Sequence, residues 1–211
     1  MNRALLMVLL VAPVLALVVV AGRRGGLSAI SRFEVRGKGW VLVAALAQAV
    51  RSSGLDWAGA GSAWWSLVLA GCAVGFAWAN ARRASTWVRV ALATFAAGAL
   101  TNAVATALNG GMQFSVAGAR TAGMGATSIV SPPPGHVPVT QGTRLVALSD
   151  VIPVPGLHIV LSAGDLLLWA GLAGLLVAAA VATSQLPGRA AEEHHHPVAD
   201  SGVPARERTS P

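Results

Sequence analysis

Charge is scarce in this chain. Only 11% of its 211 residues are Asp, Glu, Lys or Arg while 55% are hydrophobic, and a soluble domain of this size carries about twice as many charged side chains. The balance is that of an integral membrane protein. Cysteine is nearly absent too: Cys72 is alone, inside an apolar run, which excludes a disulfide scaffold within the chain. No GxxxxGK[ST] phosphate loop and no GxSxG nucleophile elbow occurs. The apolar runs also lack Asp, Glu, Lys, Arg and His in their interiors, where ion pumps and proton-coupled carriers usually place ionisable groups.

The charge that is present is basic, +7 overall. Its arginines sit in short groups at the ends of apolar stretches rather than along one face, the pattern of membrane orientation and not of nucleic-acid binding. Crossing a hydrocarbon core of about 30 Å takes about 20 helical residues. Runs at 4–21, 63–81, 87–108 and 163–183 meet that length. Pro13 within the first is tolerated where neighbouring helices satisfy the freed carbonyl. Trp64, Trp65 and Trp78 flank the third span, as indole rings that settle at headgroup level do.

A further segment, Gly39 to Val50, reaches about 17 residues only if it is extended to 35–51, with Arg36, Lys38 and Arg51 snorkelling to the interfaces. Its alternative is a re-entrant or interfacial segment, and charge decides. With five spans and the amino terminus outside, Arg23, Arg24, Arg32, Arg36, Lys38, Arg82, Arg83, Arg89, Arg189, Arg206 and Arg208 fall on the cytoplasmic side, against Arg3, Arg51, Arg120 and Arg144 outside. Dropping the segment removes that asymmetry. The first run also resembles a signal peptide, but Arg23 and Arg24 immediately after it favour a retained helix with its amino end outside.

The expected fold is therefore all-α: a helical membrane domain over 1–183 with about five transmembrane helices, a long extracytoplasmic loop at 109–161, and a disordered cytoplasmic tail at 184–211. The expected location is a cell membrane, with the amino terminus outside and the carboxyl terminus in the cytoplasm. The expected partners are the lipid bilayer and either another membrane protein or a second copy of the chain, with no nucleic acid, cofactor or metal. His194, His195 and His196 with Glu192 and Glu193 lie in the tail, where a flexible chain offers no fixed coordination.

Several residues stand out in the loop and at its borders. Ser162 and Asp165 have the spacing of a capping box at the start of the fifth span, with ligand or ion contact a compatible second role. In LNGGM, Gly110 and Gly111 suit a left-handed helix end, and Asn109 is placed to offer its amide to a bound group. Arg144 and Asp150 lie in TRLVALSDVIPVPG. A short helix over Arg144 to Ser149 turns Leu145 and Leu148 to one side, puts Arg144 and Asp150 on different faces, and meets an extended exit at Pro153 and Pro155. His136, His158, Asp150, Ser131 and Ser149 supply the residue types of a hydrolytic triad, which geometry rather than composition defines. Within the spans, Asn102 and the GCAVG pair Gly71 and Gly75 are the expected helix-packing positions.

The order VRGKGWVLVAALAQAV, LNGGM, TRLVALSDVIPVPG and SAGDLLLWAGL resembles a bacterial inner-membrane family catalogued as domain of unknown function 5317, over roughly residues 1 to 183. In that family methionine and proline commonly follow the NGG element, whereas here Gln113 follows Met112. The resemblance implies a multi-span protein without supplying an activity, and it points to Asn109, Gly110, Gly111, Asp150, Ser162, Gly164 and Asp165. The expected function is a non-enzymatic accessory or binding subunit using the loop and the start of the last helix. Its rivals are a small transporter for a neutral or lipid-like substrate and a membrane enzyme acting on a lipid or cell-wall precursor. The enzyme reading requires His136 or His158 within hydrogen-bond reach of Asp150.

Overall fold

The computed structural model describes residues 36–52, 62–82, 84–133 and 135–184. The expected first span and the tail lie outside these residues. The described chain is mostly helical, with helices α1 (Lys38–Ser52), α2 (Ser62–Ala81), α3 (Thr86–Asn109) and α6 (Ala163–Ser184). Between α3 and α6 lies a small folded cap. It contains strands β1 (Met112–Phe114), β2 (His136–Pro138), β3 (Ile152–Val154) and β4 (Ile159–Leu161), and short helices α4 (Val116–Thr121) and α5 (Ala126–Val130).

Among the described residues two helices are long and apolar enough to cross a membrane, Ala63–Ala81 and Thr86–Asn109; Lys38–Val50 and Ala163–Ala178 are shorter apolar helical stretches. At 24 residues α3 is about 36 Å long, and its ends are fixed locally. The Ser85 side chain accepts from Val88 N at 3.4 Å, and Gly110 at φ 72° closes the helix in the left-handed conformation that glycine adopts without a Cβ penalty. α1 begins at Lys38 rather than near residue 35, because Gly37, at φ 71°, interrupts the helical backbone just before it.

The long helices pack in the chain α1 on α2, α2 on α3 and α3 on α6. The first and last of these contacts differ in kind. Gly75 lies beneath the Trp40 indole, where a Cβ would fall 2.6 Å from the ring, and Gly71 faces open space. GCAVG therefore makes a notch for one ring rather than a two-glycine backbone contact. The close backbone approach is between α3 and α6. A Cβ on Gly98 would fall 2.6 Å from both the Gly164 carbonyl oxygen and Leu168 N, and one on Gly171 would fall 2.5 Å from Phe95 N. Small residues let two backbones meet in this way where no side chain fits between them.

The cap corrects the all-helical expectation. β1 is its central strand. β2 runs parallel along one edge, pairing Met112 with His136 and Phe114 with Pro138. On the other edge Asp150 N donates to the Gln113 carbonyl and Ser115 N to the Asp150 carbonyl, both at 2.8 Å. Val151 N then bonds the Leu161 carbonyl, tying this edge to the antiparallel hairpin β3–β4. Each strand has three residues, too few for alternation to register as a strand signal in the sequence. The helix expected over Arg144 to Ser149 is reduced to a single 3-10 turn, Val146–Leu148. Leu145, at φ 52°, takes a left-handed conformation that interrupts any longer helix.

Candidate functional site

The most heavily buried polar residues lie where the cap meets α3 and α6. Ser149 and Ser162 are fully buried, and Thr106, Gln113 and Asp150 are nearly so. Burying this many polar groups is costly unless they pair, and most do.

The pairing starts from a local motif. At the start of α6, Ser162 Oγ accepts from Asp165 N at 3.0 Å, and Asp165 Oδ2 accepts from Ser162 N at 3.0 Å, a reciprocal capping box. The remaining capacity of both side chains is directed at α3. Asn102 Nδ2 donates to Asp165 Oδ1 at 2.7 Å, and Ser162 Oγ donates to Asn102 Oδ1 at 2.9 Å. Three side chains thus close a ring of hydrogen bonds between helices. Gly164 completes it by omission: a Cβ there would collide with Asn102 Oδ1.

Asn109 forms a second fastening. Its Nδ2 donates to the Arg144 carbonyl at 3.0 Å and its Oδ1 accepts from Arg144 N at 2.7 Å. Asn109 therefore holds protein backbone, as an added strand would, rather than a free ligand. Gly110 turns the chain, buried Gly111 leads it into β1, and the exposed Arg144 side chain points away from the core. Among the described residues no ion pair joins Arg144 to Asp150.

Asp150 is the chemically unusual group. It is only 7% exposed, and its carboxyl is pushed up from 3.8 to about 8, first by burial and second by the like charge of Asp165. It carries a proton at neutral pH. His136 Nε2 stands 3.9 Å from Asp150 Oδ2, beyond hydrogen-bond length, so burial dominates over any pull from the imidazole. The other histidine is committed elsewhere: His158 Nδ1 pairs with the Gly123 carbonyl at 2.9 Å and joins the end of α4 to the hairpin.

Sequence reasoning named Ser149 only as a possible triad member. Its Oγ is buried without a hydrogen-bond partner, so no base is in place to activate it. Gln113 stands where the family pattern commonly has proline. Its side chain lies inside the cap, with Nε2 donating to the Asn109 carbonyl at 3.4 Å and Oε1 unpartnered. The available signal was its position in MQF, where one polar side chain stands between two apolar ones. Thr106, one turn before the end of α3, donates to Met112 Sδ at 3.6 Å. Among the described residues no three His, Cys, Asp or Glu side chains gather as a metal site.

An apolar helical assembly closed at one end by a folded cap, with a hydrogen-bonded ring of Asn102, Ser162 and Asp165 between them, is the class these features define. The chain belongs to the family of unknown function DUF5317, whose pattern matches residues 32–177 and so takes in all the elements from α1 to the cap and most of α6. No curated protein and no solved structure matches the chain.

Proposed function

We propose that this is a multi-pass protein of the bacterial cell membrane with five spans, amino end outside and tail in the cytoplasm, and that it works as a non-enzymatic accessory or binding subunit. Its cap and the start of α6 form the docking surface for a partner. The spanning part of this reading is supported by the outward faces of the long helices. Trp78 and Trp87 are 67% and 80% exposed, and Val90 and Leu100 are exposed along α3, which is unlike the core helix of a soluble protein. The arginine asymmetry of the sequence supports the orientation.

The binding part rests on one observation: the polar ring of Asn102, Ser162 and Asp165 is spent on itself. Each Asp165 oxygen has a donor, and Asn102 and Ser162 are satisfied by each other and by Asp165. Such a network fixes the cap as a platform rather than offering groups for turnover. The platform displays Val130, 82% exposed, together with Val137 and Ile152. Val130→Asp changes that surface without touching the junction. Affinity purification from native membranes is expected to recover a partner with the wild-type chain and to lose it with Val130→Asp, Asp150→Ala and Asp165→Ala. Unchanged recovery with all three variants would refute the reading.

A further inference from the structure

We propose that the segment Arg144–Val146 is an interfacial anchor that seats the cap on the lipid surface, with Leu145 and Val146 entering the acyl boundary and the Arg144 guanidinium meeting headgroup phosphate. The inference rests on the spanning reading above and adds to it a specific contact with lipid.

Three features of the segment converge. Leu145 takes φ 52°, a conformation that is costly for a residue with a Cβ, yet it is 48% exposed and its neighbour Val146 is 40% exposed. Burial in the protein therefore does not repay that cost. The backbone is nevertheless held in place by the two bonds between Asn109 and Arg144, so the protrusion is built rather than incidental.

The second feature is position. The 3-10 turn that follows Leu145 packs against both α3 and α6, and Asn109 is the last residue of α3. The segment therefore lies at the level where a spanning α3 leaves the hydrocarbon. Leu108 at the end of α3 and Leu166 in the first turn of α6 are exposed as well, on the two helices against which this turn packs. The covering for this patch is the one that covers the helices.

The third feature is charge. Arg144 is exposed, and among the described residues its side chain has no carboxylate partner. An arginine beside protruding apolar residues matches the sequence of environments at an interface, where the stem lies along the apolar boundary and the head reaches phosphate.

The test uses the full chain in the Cys72→Ser background, reconstituted into vesicles of phosphatidylcholine with anionic phosphatidylglycerol. Leu145→Cys, Val146→Cys and, as a control for spanning, Leu100→Cys each receive an environment-sensitive fluorophore. Labels at 145 and 146 are expected to be quenched by lipids brominated near the headgroup end of the chain and shielded from aqueous iodide, and the label at 100 by lipids brominated deep in the chain. Arg144→Glu is expected to shift the label at 145 toward water by about fivefold in partition, read as a rise in iodide quenching. If the label at 100 meets only lipid while those at 145 and 146 meet iodide as free dye does, the anchor is overturned and the spans stand. Iodide access at all three positions overturns both. An unchanged Arg144→Glu profile overturns the phosphate contact.

Discussion

The two outer helix contacts of the bundle bury similar residue types by opposite means. α1 meets α2 through a side chain, with Trp40 lying over Gly75, and its entry is held by Asn80, which accepts from Arg36 N at 3.0 Å and donates to the Arg36 carbonyl at 2.9 Å. α3 meets α6 through backbone, with glycine against carbonyl, and then adds the ring of Asn102, Ser162 and Asp165. A side-chain contact yields to substitution by rotation, whereas a backbone contact has nothing to rotate. The α3–α6 pair also carries the cap on both ends, so its rigidity is inherited by the proposed docking surface. α1 carries no such load, and most of its apolar side chains, Trp40, Val41, Leu42 and Leu46 among them, face outward.

The largest effect is expected where that contrast is sharpest. Gly98→Leu places a branched side chain against the Gly164 carbonyl and the backbone of Leu168. Overpacking of a tight core costs about 1–3 kcal/mol, and with backbone on both sides this position belongs at the upper end. Denaturant unfolding in detergent micelles is expected to show that loss, along with release of the cap as increased proteolysis within 112–161. Retained stability with Gly98→Leu would show that α3 and α6 separate without penalty.

Next is the polar ring. Asp165→Ala removes one half of the capping box, the bond accepted from Ser162 N, and leaves the half-buried Asn102 Nδ2 without its acceptor, while Ser162 Oγ still accepts from the backbone at 165; the combined cost is about 1–2 kcal/mol. Asn102→Leu is milder, because Asp165 keeps its bond from Ser162 N. The ordering of these two variants by thermal unfolding checks whether the ring acts as a unit. Equal losses would mean that the tie between Asn102 and Asp165, which both variants break, carries the effect and the capping bond adds nothing.

Asp150 gives the comparison a pH axis. Its folded carboxyl titrates at about 8 against 3.8 for the free group. Folding therefore favours the protonated form, and the stability contributed by that form is complete below about pH 4 and is lost as pH rises through about 8. Wild-type stability is expected to fall across this window more steeply than that of Asp150→Asn, which cannot ionise. The difference between the two curves isolates Asp150, because every other side chain is common to both proteins. Parallel curves would mean that water reaches the carboxyl and burial does not govern it.

How much of this was legible in the sequence follows from the reach of each interaction. The Ser162–Asp165 box is a three-residue relation, and the end of α3 at Asn109 and Gly110 is a local one, so both could be read directly. The tie from Asn102 to Asp165 spans 63 residues, and only the packing of α3 on α6 creates it. Arg144 illustrates the same limit. Its charge suggested a role for its side chain, while its backbone is what Asn109 holds. The cap was least legible, because three-residue strands carry no period and β1 pairs with segments some twenty and forty residues away. Spacing reaches only part of the glycine contacts: of the GCAVG pair Gly75 meets a neighbouring helix through the Trp40 ring and Gly71 faces open space, while Gly98 and Gly164, in different helices, make the backbone approach.

The smallest effect is expected at that notch, and it tests the contrast from the other side. Gly75→Ala places a methyl group 2.6 Å from the Trp40 ring, but Trp40 is 44% exposed and has room outside the bundle. The ring can swing away, losing part of its contact with α2 and little else. Alanine also favours the helix by roughly 0.8–1 kcal/mol over glycine, which offsets much of that loss. Gly75→Ala is therefore expected to unfold within about 1 kcal/mol of wild type, with Trp40 moved into a more lipid-exposed setting and its fluorescence more readily quenched by brominated lipid. A loss as large as that of Gly98→Leu would show that the α1–α2 contact is as unyielding as α3–α6, and the division between a side-chain hinge and a backbone weld would fail.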